Sequence, residues 1–317
     1  MTACHPAIRN TPLPDNGAMA RLTCGDFLSG WPDFEWRWQV SQFLPQRRNF
    51  QQPQWSGREP LADKTILLHA EQGYGDTIQF VRYAKLVADR GAKVVVEAPA
   101  QLSALIESSA PFVEIALRGA PLPPFDFHCP LLSLPAAFGT EVATVPADIP
   151  YMTPPQDRLP PWSERLGKFA DQKIGLVWSG RPSHINDMNR SIPLTRLAPM
   201  LRETPLTFVS LQNEVRNTDA ALLDELPLVH FGPSLTDFAD TAGVIAHLDL
   251  VISVDTAAAH LAGAMGKPVW ILLPFAPDYR WMLDRIDSPW YPTARLFRQP
   301  AIGDWDSVIS AVRQALA

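Results

Sequence analysis

Short apolar runs alternate with segments of helical apolar spacing along most of this chain, and the whole series occurs twice. Each run is only four to six residues long, as expected for buried strands of a parallel sheet. A segment with six prolines, 146–161, separates the two series. The predicted strands are 65–69, 93–97, 125–128, 173–178, 206–210, 249–253 and 268–273. The predicted helices are 77–90, 101–109, 194–203, 236–246, 256–265 and 305–316. The pattern predicts an α/β fold of two Rossmann-like parallel-sheet domains that face a cleft.

The N-terminal part of the chain belongs to neither series. Residues 1 to about 18 are polar and expected to be poorly ordered. The next twenty have helical spacing interrupted by Gly30 and Pro32, which predicts two short helices. Their "GW…FEWRW" stretch resembles the last unit of a tetratricopeptide array, and a single such unit must pack on the main body to bury its apolar face. The predicted domains are 1–60, 61–150 and 151–317, the first being this tail and helical piece.

Charge and hydropathy exclude several classes of protein. The 27 Lys and Arg residues against 33 Asp and Glu residues give a net charge of −6, with no basic cluster of the kind that binds nucleic acid. No apolar run is long enough to span a membrane, and the first thirty residues lack the pattern of a signal peptide. We therefore expect a cytoplasmic protein with no nucleic-acid partner. A peripheral association with the inner membrane stays open.

The first segment that could carry chemistry is a glycine-containing loop between a predicted strand and a predicted helix. It reads Gly73-Tyr74-Gly75-Asp76-Thr77, without the full G-x-G-x-x-G spacing of a dinucleotide fingerprint. The two glycines allow the backbone to approach a ligand closely. Asp76 is either a helix cap or a carboxylate presented to a ligand. Further candidate ligand contacts at this loop are Glu71, Gln72, Gly73, Tyr74 and Gly75.

The second segment runs from Ser253 to Val269, where a predicted strand enters a helix through Asp255 and Thr256. Small side chains fill the first turns of that helix and leave room for a ligand. Amides and hydroxyls at a helix start suit a diphosphate. The same pattern is equally typical of a capped helix packed closely on its sheet.

Three further segments lie at the ends of predicted strands in the second series. The polar stretch 178–191 contains Ser179, Asn189 and Arg190, and a guanidinium matches phosphate oxygens. Arg190 is a candidate for binding a phosphate or, alternatively, for a surface ion pair. Gln212 closes the next strand, where contacts to base and ribose are expected. The stretch 274–281, rich in aromatics, either lines a sugar pocket or braces the C-terminal helix.

Two motifs resemble a known family. The segment SVDTAAAHLAGAMGKPVW is similar to the signature DSGPMHLAAALGKPVV of the ADP-heptose:lipopolysaccharide heptosyltransferases, glycosyltransferase family nine. GYGDTIQFVRYAKLV resembles their first loop and helix, and the similarity extends from about Lys64 to the C-terminus. The resemblance implies a GT-B architecture and an inverting transfer, with no metal and no cofactor. The implied donor substrate is a nucleotide sugar, ADP-heptose.

The resemblance also implies roles for single residues. Asp76 corresponds to the general base that deprotonates the acceptor hydroxyl, and residues 71–75 beside it are then candidate contacts to the acceptor. The candidate contacts to the donor are then Ser179, Asn189, Arg190 and Gln212. Asp255, Thr256 and Ala257 correspond to the turn that binds the donor diphosphate. His260 lies at the position of the family's histidine, although we favour a packing histidine that hydrogen-bonds to the sheet.

The chain departs from the family pattern in three ways, which leave alternatives open. Ala257 replaces a glycine of the diphosphate turn, and Arg82 lies where many members have proline. The tetratricopeptide-like piece resembles fusions whose acceptor is expected to be a protein or peptide, so the acceptor is either a glycan or a protein. A nucleotide-sugar epimerase and a nucleotide-binding scaffold without turnover are the other interpretations.

Overall fold

Two α/β units make up the part of the chain that the computed structural model describes, residues 14–41 and 43–317. The first unit contains the described residues up to Asp148 together with Pro277–Arg285. The second contains Ile149–Ala276 and Ile286–Ala317. Among the described residues, no helix is both long enough and apolar enough to cross a membrane.

The first unit has two N-terminal helices followed by a small parallel sheet with its helices. Its helices are α1 (Pro14–Thr23), α2 (Phe27–Phe34), α3 (Tyr74–Phe80), α4 (Tyr83–Ala88), α5 (Ala100–Ser109) and α6 (Leu134–Ala137). Its strands are β1 (Thr65–His69), β2 (Lys93–Ala98), β3 (Val113–Leu117) and β4 (Phe127–Pro130). The strand order is β3-β2-β1-β4 and all pairs are parallel. The chain therefore reverses its direction of travel across the sheet between β1 and β4.

The second unit has a larger parallel sheet. Its helices are α7 (Leu159–Leu166), α8 (Asp187–Arg190), α9 (Leu194–Glu203), α10 (Asn217–Leu223), α11 (Phe238–Ala246), α12 (Ala257–Ala264) and α13 (Trp305–Leu316). Its strands are β5 (Lys173–Val177), β6 (Thr207–Ser210), β7 (Leu228–His230), β8 (Leu250–Val254), β9 (Val269–Leu273) and β10 (Ala294–Arg298). The order is β10-β9-β8-β5-β6-β7, so this sheet reverses direction between β5 and β8.

The central strands are buried on both faces, as their nearly continuous apolar sequences predict. β8 is buried at every position, and β1, β2 and β5 at all but the first. One continuous core in the second unit joins β5, β6 and β8 to α9 and α13. The prediction of an α/β fold with two parallel sheets is confirmed.

The two N-terminal helices are present, but the predicted break between them at Gly30 and Pro32 is wrong, because both residues lie inside α2. The chain turns at Gly25, whose φ of 83° is costly for other residues, and Asp26 then caps α2 through the Ser29 amide. Gly30 is a packing position instead. A Cβ there would lie 2.6 Å from Leu22 Cδ2, so its absence lets α1 and α2 approach closely.

The predicted poorly ordered tail is also corrected in part. Residues 1–13 lie outside the described residues, but the backbone from Pro14 onward is helical. Proline is favoured at the first position of a helix because its missing N–H would have no intrahelical partner there.

The predicted helix 77–90 is two helices, α3 and α4. Val81 still bonds to the carbonyl of Thr77, but the Ala84 amide bonds to Val81, one residue short of the α-helical spacing. The Arg82 side chain donates hydrogen bonds to the Gln79 carbonyl at 2.7 Å and to the Pro146 carbonyl at 3.0 Å. This competition for a helical carbonyl accompanies the break.

Candidate functional site

Asp76 is held by two partners at the start of α3. Its Oδ2 accepts a hydrogen bond from the Gly73 amide at 2.7 Å, which is one half of a capping box. Its Oδ1 forms an ion pair with Arg280 of the Pro277–Arg285 segment, and Arg280 also binds Asp278 at 2.8 Å. The Asp76 side chain is only 16% exposed. Asp76 is thus both a cap and a fixed, partly accessible carboxylate.

The other residues predicted to contact an acceptor lie on the same loop. Gln72, Tyr74 and Gly75 are half-buried and Gly73 is exposed. Glu71 differs from them because it is buried, with a side chain that is 1% exposed. It is therefore placed to support the loop, and the loop surface that remains open belongs to the four residues after it.

Glu71 forms a bidentate ion pair with Arg37, which follows α2 in the N-terminal region. Arg37 Nη2 lies 2.9 Å from Glu71 Oε1, and Nε lies 3.1 Å from Oε2. Burial raises the pKa of Glu71 to about 7, against the opposing effect of Arg37. Sequence reasoning did not find Arg37, because its partner is distant in the chain.

A histidine pair lies in the same sheet as the loop. His69 is the last residue of β1, and its Nε2 lies 3.2 Å from Nδ1 of His128 on β4. Burial, and then the neighbouring His128, lower the pKa of His69 to about 3. Two imidazoles at this distance share one hydrogen bond, so His69 is neutral at physiological pH and acts in packing.

In the second unit, Arg190 joins the ends of two central strands. It lies at the end of α8, in the loop after β5, and its Nη1 donates to the Asp255 carbonyl after β8 at 2.8 Å. The guanidinium lies against Gly180, where a Cβ would be 2.4 Å from Nη2. β5 and β8 are the two strands between which this sheet reverses direction. Open α/β sheets bind ligands at this kind of position, beyond the carboxyl ends of the strands.

The N-terminus of α12 lies directly after β8 and has no side-chain cap. Thr256 is the residue before the helix, but its Oγ1 pairs with Ser253 Oγ at 3.0 Å. The Ala259 amide already donates to the Thr256 carbonyl at 3.1 Å, so among the described contacts the amides of Ala257 and Ala258 are the ones that remain for another partner. Ala257 adds only a methyl group at this turn. An uncapped helix start beside a guanidinium has the chemistry of an anion site.

Ser179 and Gln212 lie at the carboxyl ends of β5 and β6, with different roles. The Gln212 amide accepts from the amides of Trp178 and Ser179 at 3.3 and 3.2 Å. It also donates to the carbonyls of Ser179 and Glu214, at 3.0 Å each. All donors and acceptors of the Gln212 side chain are therefore used in bonds that link the ends of β5 and β6. The hydroxyl of Ser179 is buried and has no hydrogen-bond partner among the described residues.

His260 is buried in α12, and its partner is Tyr291 rather than a residue of the sheet. Its Nδ1 lies 2.9 Å from the hydroxyl of Tyr291. Tyr291 can approach because Gly263, three residues along α12, has no side chain: a Cβ there would lie 2.5 Å from the ring. His260 Nε2 also lies 3.8 Å from Asp255 Oδ1, in the turn before the helix.

The remaining part of the 178–191 loop is fixed by an ionic network. Asp187 pairs with Arg216 and accepts from the Ser191 hydroxyl at 2.8 Å. Ser191 in turn accepts from the Gly180 amide at 3.0 Å. Asn189, in contrast, is exposed, and its side-chain amide donates to Asn186 Oδ1 at 2.7 Å. The spacing of Asp187 and Ser191 by four residues was a usable sequence signal, whereas Arg216 gave none.

Comparison with known proteins agrees with this architecture. Residues 214–273, 60 of the 317, match the family described as glycosyltransferase family 9 (heptosyltransferase). This match includes β8, the following turn and α12. The protein FlbA of Caulobacter vibrioides (strain ATCC 19089 / CIP 103742 / CB 15) is 27% identical over 348 residues. The alignment takes in 99% of this chain and 57% of FlbA, so the chain spans little more than half of that relative's length.

Solved structures share the fold at low sequence identity. The glycosyl transferase family 9 protein from Veillonella parvula DSM 2008 has a TM-score of 0.55 at 11% identity, covering 80% of this chain and 92% of that one. The ADP-heptose lipopolysaccharide heptosyltransferase II of E. coli has a TM-score of 0.55 at 15% identity, covering 80% and 98%. The chain therefore has the α/β, GT-B type fold of the glycosyltransferase family 9 heptosyltransferases, with two Rossmann-like parallel sheets.

Proposed function

We propose that this chain is an inverting glycosyltransferase that transfers a sugar, heptose from ADP-heptose, to a hydroxyl of a glycan or a protein. The observation that carries the proposal is the arrangement at the reversal point of the second sheet. There the guanidinium of Arg190, the unpartnered hydroxyl of Ser179 and the uncapped start of α12 belong to neighbouring strand ends. The fold and the family match over residues 214–273 add support.

The donor's diphosphate is assigned to this position. A diphosphate needs several N–H donors and positive charge, which the first amides of α12 and Arg190 supply. Ala257 keeps the side chain at the turn small enough for phosphate oxygens to approach. The proposed adenine base and heptose follow from the protein of similar fold named for ADP-heptose.

In the proposed reaction, the acceptor hydroxyl oxygen attacks the anomeric carbon of the donor sugar. The bond from that carbon to the diphosphate oxygen breaks, and ADP leaves with the electron pair. Attack on the face opposite to the leaving group inverts the anomeric configuration. The proton of the hydroxyl passes to Asp76, and the new negative charge on ADP is balanced by Arg190 and the α12 amides without a metal.

The contacts of Asp76 are compatible with this role. A carboxylate has about four acceptor positions, of which the Gly73 amide and Arg280 take two. An acceptor hydroxyl can therefore bond to Asp76 while both present contacts remain.

A second candidate is a nucleotide-binding protein without turnover. The observation in its favour is that both oxygens of the Asp76 carboxylate already have a partner, the Gly73 amide and Arg280. In this reading the donor site is functional and the base is not.

One experiment separates the two candidates. Purified protein is titrated with ADP, UDP and GDP in a calorimeter, and ADP release from ADP-heptose is then followed with the Asp76→Asn variant alongside. Selective ADP binding and release that depends on Asp76 support the transferase. ADP binding without release supports the scaffold, and the absence of binding by any nucleotide contradicts both.

A further inference from the structure

The reversal point of the first sheet, between β1 and β4, is already filled by a side chain of the same protein. Glu71 follows β1 and Ser133 follows β4. Arg37 binds both, with Nη2 at 2.9 Å from Glu71 Oε1 and 2.8 Å from Ser133 Oγ. In open α/β sheets this position is ordinarily where a ligand binds. Here a guanidinium from the N-terminal region joins the two strand ends.

The Arg37 guanidinium is fully buried and has several hydrogen-bond and ring contacts besides Glu71 and Ser133. Its side chain is 0% exposed, and its Nη1 donates to Glu35 Oε1 at 2.6 Å and to the Phe34 carbonyl at 3.3 Å. The group lies 4.7 Å from the centre of the Phe34 ring and 4.4 Å from that of Trp38. A buried ion pair compensates its desolvation only with such complete bonding. Glu71 therefore has one position available to it.

The loop that carries Asp76 begins at Glu71, so fixing Glu71 fixes one end of that loop. The other end is held through the Pro277–Arg285 segment. Tyr279 packs edge-on against Trp31 of α2, with ring centres 5.9 Å apart, and the neighbouring Arg280 binds Asp76. The N-terminal region thus contacts the support of Asp76 at two places that are distant in sequence.

We propose that Arg37 is a positioning residue: by bonding to Glu71 and Ser133 it holds the loop from Glu71 to Asp76 in the conformation in which Asp76 accepts the proton of the acceptor hydroxyl. The inference rests on the proposed role of Asp76. It gives the N-terminal helices a part in the site in addition to their packing.

If Arg37 had only a structural role, the loss of activity in its variants would parallel the loss of stability. The test therefore measures activity in a variant whose stability is kept. Arg37→Met alone leaves Glu71 buried without a partner and is expected to destabilise the unit. The double variant Arg37→Met/Glu71→Met replaces the buried pair by apolar side chains of similar volume, a change that is often neutral or stabilising. It restores stability without restoring the link between the strand ends.

The control is Arg48→Met. Arg48 also pairs with a buried carboxylate in the same unit, its Nη1 lying 2.9 and 2.8 Å from the two oxygens of Glu97. Among the described contacts, the two side chains of this pair make no bond to residues 71–76, and the main-chain bond from the Ala70 amide to the Glu97 carbonyl does not depend on Arg48. We therefore expect its loss to destabilise the unit without loosening that loop.

Two readouts are measured on the full chain. Hydrogen exchange of the amides of residues 72–77 reports the loop directly, including the Gly73 amide that Asp76 holds. ADP release from ADP-heptose, with water as acceptor, reports turnover. In the double variant we expect exchange about tenfold faster and release about ten- to a hundredfold slower, with ADP affinity within about twofold of the wild type.

Wild-type loop exchange or wild-type release in a folded double variant overturns the proposal, as does an equal loss in Arg48→Met. Should the double variant unfold, Glu71→Gln decides in its place, because it keeps the volume of Glu71 and weakens the same bonds. A third outcome is faster loop exchange in the double variant together with a wild-type protein that neither binds ADP nor releases it from ADP-heptose. This outcome would support the positioning of the loop by Arg37 and overturn the proposed function instead.

Discussion

Replacing Gly180 by alanine tests the proposed donor site without removing any of its polar groups. A Cβ at this position would lie 2.4 Å from Nη2 and 2.7 Å from Cζ of Arg190, closer than real contacts allow. The guanidinium is the free end of a long side chain, so it moves while the backbone stays. Its bond to the Asp255 carbonyl and its proposed contact with phosphate are lost together.

The expected effect follows from the strength of hydrogen bonds that carry charge. Loss of one such bond to phosphate costs about 1.5–3 kcal/mol, which weakens ADP binding about 10- to 150-fold. Calorimetric titration with ADP measures it, beside Arg190→Ala. Gly17→Ala is the control, because a Cβ there meets nothing within 4 Å, and it is expected to bind ADP as the wild type does. Unchanged ADP affinity in Gly180→Ala and Arg190→Ala would refute the assignment of this site to the donor.

Three further predictions concern the first unit. Asp76→Asn is expected to lower ADP release from ADP-heptose by about a hundredfold or more while ADP affinity stays unchanged, and equal release would exclude Asp76 as the base. Trp31→Ala is expected to lower the free energy of unfolding by about 3–5 kcal/mol, because this ring is 1% exposed and packs on Phe80 and Tyr279. Urea denaturation measures the change, and a loss below about 1 kcal/mol would show that α2 is not part of the core. His69 has a lowered pKa, so only the unfolded state gains its proton as the pH falls from about 6.5 towards 3, and stability falls by up to about 1.4 kcal/mol per pH unit from this group; His69→Phe should flatten the measured pH dependence, and an unaltered slope would contradict a neutral buried His69.

The strands that the sequence did not predict are all at sheet edges. β3 is an edge of the first sheet, and β7 and β10 are the two edges of the second. Edge strands are partly exposed, so charged residues interrupt their apolar runs, as Glu114 does in β3 and Arg295 in β10. The central strands were predictable because burial on both faces requires a continuous apolar sequence.

The candidate site shows the same division between local and distant information. Arg190 and the start of α12 could be predicted because each lies next to a strand end, where parallel sheets place ligands. Arg37 could not be predicted, because the residues that it bonds to, Glu71 and Ser133, are 34 and 96 residues away in the sequence. Arg280 was noted only as part of an aromatic loop, and its pairing with Asp76 spans 204 residues. Gln212 was predicted to contact base and ribose, whereas its amide is fully used between β5 and β6.

The measurement that tests the central claim most directly is calorimetric titration of the wild-type protein with ADP, repeated with Arg190→Ala. The account predicts saturable binding at one site per chain, and loss of about tenfold or more in affinity in the variant. Folded wild-type protein that gives no binding heat with ADP and no thermal stabilisation by ADP-heptose would contradict it.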